Sequence, residues 1–136
     1  MTSGDVAVLR EMYAAFNRGD VSVALEAIDP HIEWSITPGA GPSPQTFHGH
    51  EGVRSAMSSM LEVWEEYRSE PLEFIERGDY VVVRLRSQAI GRASGVEIEG
   101  EIAHVWLMRG GKAVRFEAYL DSREALAAAE ARAGAG

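Results

Sequence analysis

The sequence predicts an α+β fold in which helices come first and a mostly antiparallel sheet follows. Apolar residues recur at intervals of three and four in the first half of the chain, whereas apolar and polar residues alternate around tight turns in the second half. The chain has 136 residues, and 46% of them are hydrophobic. This length and composition suit a single domain over residues 1–136, with one core and the helices packed on one face of the sheet.

Three amphipathic segments predict the helices that precede the sheet. The first begins near Ser3 and ends at Gly19. Asp20 is placed to cap a second, short helix, which ends at Asp29-Pro30 because the residue before a proline is pushed out of the helical region. The apolar positions of the first helix are Val6, Leu9, Met12, Tyr13 and Phe16, and those of the third are Val53, Met57, Met60, Trp64 and Tyr67.

Strand patterns and turn residues predict the sheet and its closing helix. Arg77-Gly78-Asp79 and Arg109-Gly110-Gly111 are typical turns of two hairpins, and a loop rich in proline and glycine covers Pro38–Pro44. A terminal helix is expected from Ser122 through Ala131. The predicted strands are the alternating segment Ile32–Ile36, then Leu72–Glu76, Tyr80–Ile90, Val96–Met108 and Lys112–Leu120.

The last hairpin places one histidine in an apolar wall. Successive side chains of a strand point to opposite faces, so residues of one parity share a face. His104 is the only histidine among them, which gives either a plain core or a pocket for an apolar ligand with one polar handle. The shared face consists of Val96, Ile98, Gly100, Ile102, His104, Trp106 and Met108 on one strand, and of Val114, Phe116, Ala118 and Leu120 on the other.

Charge and composition narrow the classes of partner. A formal net charge of −8 opposes binding to nucleic acid or to an anionic membrane, because both require clustered Lys and Arg. The absence of cysteine excludes disulfides and thiolate metal sites. The N-terminus leads straight into an amphipathic pattern, and no apolar run approaches membrane-spanning length. We therefore expect a cytoplasmic protein that needs no cofactor.

Four parts of the sequence resemble a known family. They are Tyr13–Asp20, Asp29–Trp34, Phe47–Gly52, and Gly110–Lys112 followed by Tyr119–Asp121. Their order and spacing resemble the SnoaL-like, polyketide-cyclase-like branch of the nuclear transport factor 2-like (NTF2-like) superfamily, over nearly the whole chain. The resemblance implies a cone-shaped α+β barrel, in which a bent, mostly antiparallel sheet wraps around helices and leaves a cavity at its wide end. It also implies a homodimer formed through the sheet.

The known functions of this superfamily include polyketide cyclisation, epoxide hydrolysis, steroid isomerisation, dehydration and ligand binding without catalysis, so the fold alone does not choose among them. Limonene-epoxide-hydrolase-like relatives use two aspartates that flank an arginine. Ungapped matching places Arg84 at the arginine, but Arg86 and Ala118 stand where the aspartates belong. Matching therefore puts Arg84 in the pocket, whereas strand alternation with Val83 and Leu85 puts it in solvent.

Two further residues are candidates for catalysis. His104 is expected to be neutral because its apolar neighbours disfavour the imidazolium, and it is then either a proton-transfer group or a core histidine bonded to a backbone carbonyl. SnoaL-type cyclases depend on an acidic residue with histidine neighbours, and the resemblance leaves Asp121 as the only acidic residue near the matching strand end. Asp121 and Glu124 also form the pattern of a helix capping box, which is the alternative interpretation.

The aromatic and methionine residues of these elements are either pocket walls or core fillers. His48 is expected beside the pocket mouth. His48 and His50 also form an HxH pair, but no third metal ligand is nearby in sequence, so no metal site is predicted. The predicted ligand-binding residues are Tyr13, Phe16, Trp34, His48, Met57, Met60, Trp64, Trp106 and Phe116.

The outward parity of the last hairpin carries Ala103, Val105 and Leu107, with Tyr119 on the next strand. An exposed apolar patch there would require a partner, which favours the homodimer by a second route. The leading hypothesis is a protein that binds an apolar small molecule and acts as a lyase, isomerase or cyclase on a hydrophobic or polyketide-like compound, with His104, Arg84 and Asp121 as catalytic candidates. The alternatives are a non-catalytic ligand-binding or accessory protein, and a dimeric domain whose cavity is filled by its own side chains.

Overall fold

The computed structural model describes residues 4–40 and 44–135, which form a mixed α+β fold with a bent, open, six-stranded sheet. The predicted fold class is confirmed. In chain order the elements are α1 (Gly4–Asn17), α2 (Val21–Leu25), β1 (Ile28–Ile36), β2 (Gln45–His48), α3 (Gly49–Val63), β3 (Trp64–Arg77), β4 (Tyr80–Gly91), β5 (Glu97–Arg109), β6 (Lys112–Tyr119) and α4 (Ser122–Ala135). Ser3 and residues 41–43 of the predicted loop lie outside the described residues.

The sheet has the strand order β2-β1-β6-β5-β4-β3. All neighbouring strands are antiparallel except β1 and β6, which are parallel. Register irregularities interrupt β3 between Pro71 and Glu73 and the β5–β6 ladder between Leu107 and Met108. Such irregularities bend strands, and the bend lets the sheet wrap around the helices on one face.

Helices cover both faces of the sheet, so the prediction that they lie on one face is wrong. Val81, Val83 and Leu85 of β4 belong to the main core, which also contains the apolar stripe of α1. Val82, between them, faces the opposite side, where it packs with Ala125 and Ala129 of α4. Strand alternation therefore divides β4 between two separate packing layers.

The position of α4 removes one argument for a dimer. Ala103 and Val105 are buried in the layer beneath α4, and Tyr119 packs against the same layer. The predicted exposed apolar patch is therefore wrong, because an element of the same chain covers it. The homodimer stays a prediction that depends on the family resemblance alone.

The boundary between α3 and β3 differs from the prediction. The helix ends at Val63, and Trp64 has extended backbone angles and pairs with Gly91 of β4. Strand pairing thus overrides the helical spacing that had placed Trp64 and Tyr67 on α3. β3 begins eight residues earlier than the predicted Leu72, as an edge strand whose exposed side chains are mostly charged, a pattern that discourages pairing with other chains.

Two short segments also differ from the prediction. Asp29-Pro30 lies inside β1 and not at the end of a helix, because α2 already ends at Leu25. Gln45–His48, where no strand was predicted, forms β2 and pairs with β1. The predicted cap of α2 is confirmed, since the Asp20 carboxylate accepts a hydrogen bond from the backbone N–H of Val23.

In the last hairpin, the residues predicted to face the core are buried only where helices cover the sheet. Ile98 is 52% exposed because β5 extends past the core at its first residues. In β6 the register irregularity buries Ala113 and leaves Val114 half-buried, and Leu120 lies beyond the strand and is exposed. Within the described residues, no helix combines the length and the apolar character needed to cross a bilayer.

Candidate functional site

A cavity of about 470 Å³ lies between the helices α1 and α3 and the sheet face that they cover. Its size is that of a site for a small organic molecule. Aromatic rings and thioethers of α1, α3 and four strands line it, and Ala40 and Phe47 border it from the β1–β2 side. The predicted residues that line it are Tyr13, Phe16, Trp34, Met57, Met60, Trp64, His104, Trp106 and Phe116.

A hydrogen-bonded group of three side chains, which we call the relay, lies in this wall. The Tyr13 hydroxyl oxygen is 2.7 Å from His104 Nδ1, and Trp106 Nε1 donates to the same oxygen over 2.8 Å. Tyr13 comes from α1, whereas His104 and Trp106 are two residues apart on β5 and share a face. The relay thus ties the long N-terminal helix to the middle of the sheet.

The bonding rules of the three groups place the proton of His104. An indole N–H can only donate, so the Tyr13 oxygen accepts from Trp106. The arrangement that satisfies all three groups has the Tyr13 hydroxyl donating to His104 Nδ1, which puts the imidazole proton on Nε2. Nε2 hydrogen-bonds to none of the described residues, so His104 has an unused N–H donor at the cavity wall.

Burial keeps the relay neutral. It lowers the pKa of His104 from 6.5 to about 3, because the apolar surroundings penalise the imidazolium and no carboxylate is among its hydrogen-bond partners in the described chain. Burial also raises the pKa of the Tyr13 hydroxyl well above its usual value, although the hydrogen bond from Trp106 opposes this effect. At neutral pH the relay therefore acts through hydrogen bonds between uncharged groups.

Aromatic packing holds the imidazole in place. The ring centres of His104 and Phe116 are 4.7 Å apart in an edge-to-face arrangement. Phe116 in turn lies against Trp34 and Trp106, with ring centres 3.9 Å and 4.5 Å away. Such pairs add to the stability of a buried cluster beyond their buried area, so the donor on His104 is held in one orientation.

Comparison with known proteins agrees with this architecture. The sequence model of the SnoaL-like domain matches residues 9–116. The chain belongs to the SnoaL-like domain family. An NTF2-like protein of unknown function from Burkholderia pseudomallei K96243 shares 31% identity with this SnoaL-like domain, with a TM-score of 0.81 over 93% of this chain and 97% of the other.

Two further structures resemble this SnoaL-like domain. TerC, which was co-crystallised with polyporic acid, shares 30% identity and has a TM-score of 0.79 over 94% of this chain and 99% of its own. IdmH, a candidate polyketide cyclase from Streptomyces antibioticus, shares 19% identity with a TM-score of 0.71 over 90% and 96% of the two chains, which shows a shared fold only. No curated protein matches the sequence.

The structure does not bring Arg84 to the cavity of the SnoaL-like domain. Its guanidinium donates to Glu73 and to Glu101, over 2.8 Å each, on the sheet face opposite the cavity. These two carboxylates raise its pKa further above its usual value. Arg84 and Leu85 alternate across β4 without a bulge between them, so the periodicity was right and the placement by family matching was wrong.

Asp121 also lies away from the cavity. Its carboxylate accepts a 2.7 Å hydrogen bond from the backbone N–H of Arg123 at the start of α4, and it pairs with the Arg123 guanidinium. These contacts hold the pKa of Asp121 below its usual value. The structure thus agrees with helix capping by Asp121, which does not line the cavity.

His48, at the end of β2, and His50, at the start of α3, do not meet at the cavity wall. His48 is exposed at the residue before α3 and does not line the cavity, so its predicted contact with a ligand has no geometric support. His50 Nε2 bonds to the backbone oxygen of Ile28 over 2.7 Å, which anchors the start of α3 to β1. Across the described parts of the chain, no three His, Cys, Asp or Glu side chains are grouped so as to hold a metal ion.

Five polar residues of the cavity wall were not predicted from the sequence: Asn17, Gln45, Ser59, Glu62 and Ser69. Asn17 follows Tyr13 by four residues, so it lies on the same face of α1 one turn later, and that spacing was a usable signal. Ser69 gave no signal, because β3 was predicted to begin only after it.

Proposed function

We propose that this protein binds a neutral, largely apolar ring compound in the cavity and that His104 donates a hydrogen bond from Nε2 to an oxygen atom of the ligand. The observation that carries the proposal is the free donor on a buried, neutral imidazole within an aromatic wall. Apolar pockets commonly use a few fixed polar groups to orient their ligands. The co-crystallisation of TerC with polyporic acid supports a small-molecule occupant.

The charge of the wall supports a neutral ligand. Glu62 is the only Asp, Glu, Lys or Arg among the described lining residues, and it is exposed at the end of α3. A charged group brought to His104 would therefore lose its hydration without gaining a counter-charge, which is costly in an apolar environment. A carbonyl or hydroxyl oxygen requires only the hydrogen bond that His104 offers.

Binding of 2-tetralone and of tetralin tests this proposal, because the two bicyclic compounds differ in a single carbonyl group. One hydrogen bond should make the wild-type protein bind 2-tetralone about twofold to tenfold more tightly than tetralin, as measured by calorimetry. In His104→Leu the preference should vanish while tetralin still binds, because the apolar wall is kept. Arg86→Gln is the matched control, since Arg86 pairs with Glu99 on the surface away from the cavity.

Two results would contradict the proposal. If neither compound binds the wild-type protein up to its solubility limit, the cavity does not bind apolar ring compounds. If the preference for 2-tetralone persists in His104→Leu, the polar contact comes from another residue.

A cyclase or isomerase is the second candidate, because a hydrogen-bond donor in a site without ionised groups strengthens as negative charge develops on a carbonyl oxygen. The raised pKa of Tyr13 and the lowered pKa of His104 disfavour full proton transfer through the relay. Its role would then be to stabilise the enolate oxygen that forms when a water molecule takes the proton beside the carbonyl. Proton NMR of 2-tetralone in D₂O tests this. Catalysed exchange of the protons beside the carbonyl that is lost in His104→Leu favours catalysis, and exchange at the buffer rate favours a binding protein.

A further inference from the structure

A second concave site lies on the outside of the molecule, between α1 and the edge strand β3. It is a groove of about 380 Å³, which is large enough for a small molecule. Arg10, Ala14 and Arg18 line its helix side, and Arg68, Glu70 and Pro71 line its strand side. We call it the arginine groove.

Helical spacing forms one side of the arginine groove. Arg10, Ala14 and Arg18 are four residues apart, so they lie on one helix face. The backbone N–H of Arg18 donates to the backbone oxygen of Ala14 over 3.2 Å, which continues this row just past the end of α1. Because Ala14 has only a methyl group, a recess remains between the two longer side chains.

A double hydrogen bond fixes the strand side of the arginine groove. Asn17 donates from Nδ2 to the backbone oxygen of Ser69 over 2.7 Å, and its Oδ1 accepts from the backbone N–H of Ser69 over 3.1 Å. Arg68 and Glu70 are the neighbours of Ser69 along β3. The Asn17 amide therefore holds both of them beside α1.

Two arginines of the groove have unused donors. Arg10 and Arg68 are exposed and form no ion pair or side-chain hydrogen bond with any described residue. Six arginines outside the groove, in contrast, pair with Asp or Glu. Cζ of Arg10 lies 4.5 Å from the ring centre of Phe74, so the ring covers one flat side of the guanidinium and leaves its N–H edge open.

The charges of the arginine groove favour an anion. Asp20 lies 3.8 Å from Arg18 and offsets part of its charge, and Glu70 is the only Asp or Glu among the described lining residues. Arg10 and Arg68 thus remain as cations without a partner. A guanidinium presents paired N–H donors that match the oxygens of a carboxylate or a phosphate.

We propose that the arginine groove is a second binding site, in which Arg10 and Arg68 hydrogen-bond the carboxylate or phosphate group of a small polar molecule. Glu70, next to this pair, would repel the further carboxylates of a longer acidic chain, which favours a small anion over an acidic protein segment. The proposal does not depend on the proposed function, because it concerns a different site and a charged ligand.

Three sugars test the proposal: glucose 6-phosphate, glucuronate and glucose, which carry a phosphate, a carboxylate and no charge. Their hydroxyl groups make them unsuited to the apolar cavity. Proton–nitrogen NMR at low salt follows the arginine Nε–H signals. At least one anion should shift the signals of Arg10 and Arg68, and glucose should shift neither. The anion that binds more tightly identifies the group that the site prefers.

A pair of double variants separates the site from the overall charge of the chain. Arg10→Gln combined with Arg68→Gln should weaken binding of that anion about tenfold, because two charged donors are lost. The matched control is Arg54→Gln combined with Arg109→Gln. Arg54 and Arg109 are also exposed and without an ion pair to any described residue, but they do not line the groove. The control changes the net charge equally and should keep the wild-type affinity.

Two results would overturn the inference. If neither anion shifts the Arg10 and Arg68 signals of the wild-type protein at millimolar concentrations, the groove binds no small anion. If the two double variants weaken binding equally, the anion responds to the charge of the whole chain and not to this site. Neither result bears on the proposed function, because its probes are uncharged compounds directed at the cavity.

Discussion

The two faces of the sheet are built from alternate residues of the same strands, yet they satisfy their polar groups in opposite ways. The cavity face holds an uncharged relay of Tyr13, His104 and Trp106 among aromatic rings. The face beneath α4 buries a carboxylate, Glu117, which accepts hydrogen bonds from both terminal nitrogens of Arg132. The cavity face is thus uncharged and encloses an open volume, and we call it the hollow face. The face beneath α4 contains an ion pair and is closely packed, and we call it the filled face.

This difference is the reason for placing the proposed ligand on the cavity face. Small side chains on α4, such as Ala125 and Ala129, approach Val82 and Val105 closely and fill the layer between helix and sheet. On the other face, large rings stack against one another and leave a volume that they do not fill. The filled face contains the ion pair of Glu117 and Arg132, whereas on the hollow face Nε2 of His104 hydrogen-bonds to none of the described residues.

Loss of the ion pair beneath α4 should give the largest effect on stability. In Arg132→Ala, the Glu117 side chain, which is 8% exposed, loses its two-pronged partner and keeps only Arg115, at 3.9 Å. Removal of one member of a buried pair leaves an uncompensated charge, so the free energy of unfolding should fall by about 4 kcal/mol. Urea unfolding measures this change.

The control for that variant is Arg123→Ala, which breaks the exposed pair between Arg123 and Asp121, where the Arg123 side chain is 90% exposed. Its effect should be far smaller, since exposed pairs contribute little. Binding of 2-tetralone to Arg132→Ala should be unchanged while the protein is folded, because Arg132 does not line the cavity. Equal destabilisation by the two variants would mean that the pair beneath α4 is not buried in solution.

Acid should lower the unfolding free energy of the protein through His104, on the hollow face. Above pH 6.5 the imidazole is neutral in the folded and the unfolded chain, so it has no effect on stability. As the pH falls below 6.5, the unfolded chain binds a proton that the folded chain refuses until its pKa of about 3. This difference should remove about 3 kcal/mol of unfolding free energy between pH 6.5 and pH 4.

Comparison of the wild type with His104→Gln isolates this effect, because the other titrating groups are common to both proteins and glutamine does not titrate. Urea unfolding at several pH values should show the wild type losing more stability than His104→Gln as the pH falls. Parallel curves would mean that water reaches His104 freely and that the cavity face is not apolar around the imidazole.

The parts of the fold that follow a simple period were predictable from the sequence. The three-and-four spacing on α1 placed Tyr13 in the core, and the parity of β5 placed His104 and Trp106 on one face. These are local rules, so they hold wherever one face of an element is buried. The hydrogen bonds of the relay could not be predicted from the sequence. Tyr13 lies 91 residues before His104 and 93 before Trp106, and only the folded chain brings them together.

The predictions of the fold were wrong where tertiary contacts override the local sequence pattern. Trp64 continues the helical spacing of α3, but its pairing with Gly91 draws it into a strand. The small apolar residues Ala103 and Val105 on the outward parity were read as a partner-binding surface. A helix of the same chain covers them, and no local rule could assign α4 to that face.

For Arg84, matching to relatives and strand alternation gave opposite predictions. Matching to the epoxide-hydrolase-like relatives put Arg84 in the pocket on the strength of its position alone. Alternation with Val83 and Leu85 put it outside, for a physical reason: apolar neighbours fix which face of β4 is buried. The structure agrees with the physical argument, since Arg84 bonds to Glu73 and Glu101 on the face away from the cavity.

The smallest expected effect comes from Arg84→Gln, which tests that placement directly. The arginine side chain is 33% exposed, and its partners Glu73 and Glu101 are about half exposed, so water screens both ion pairs. The urea midpoint and the dissociation constant for 2-tetralone should both remain at their wild-type values. Loss of 2-tetralone binding by a folded Arg84→Gln protein would mean that Arg84 contacts the ligand in the cavity. The cavity face would then include a cation, and the contrast between a neutral face and a charged face would be wrong.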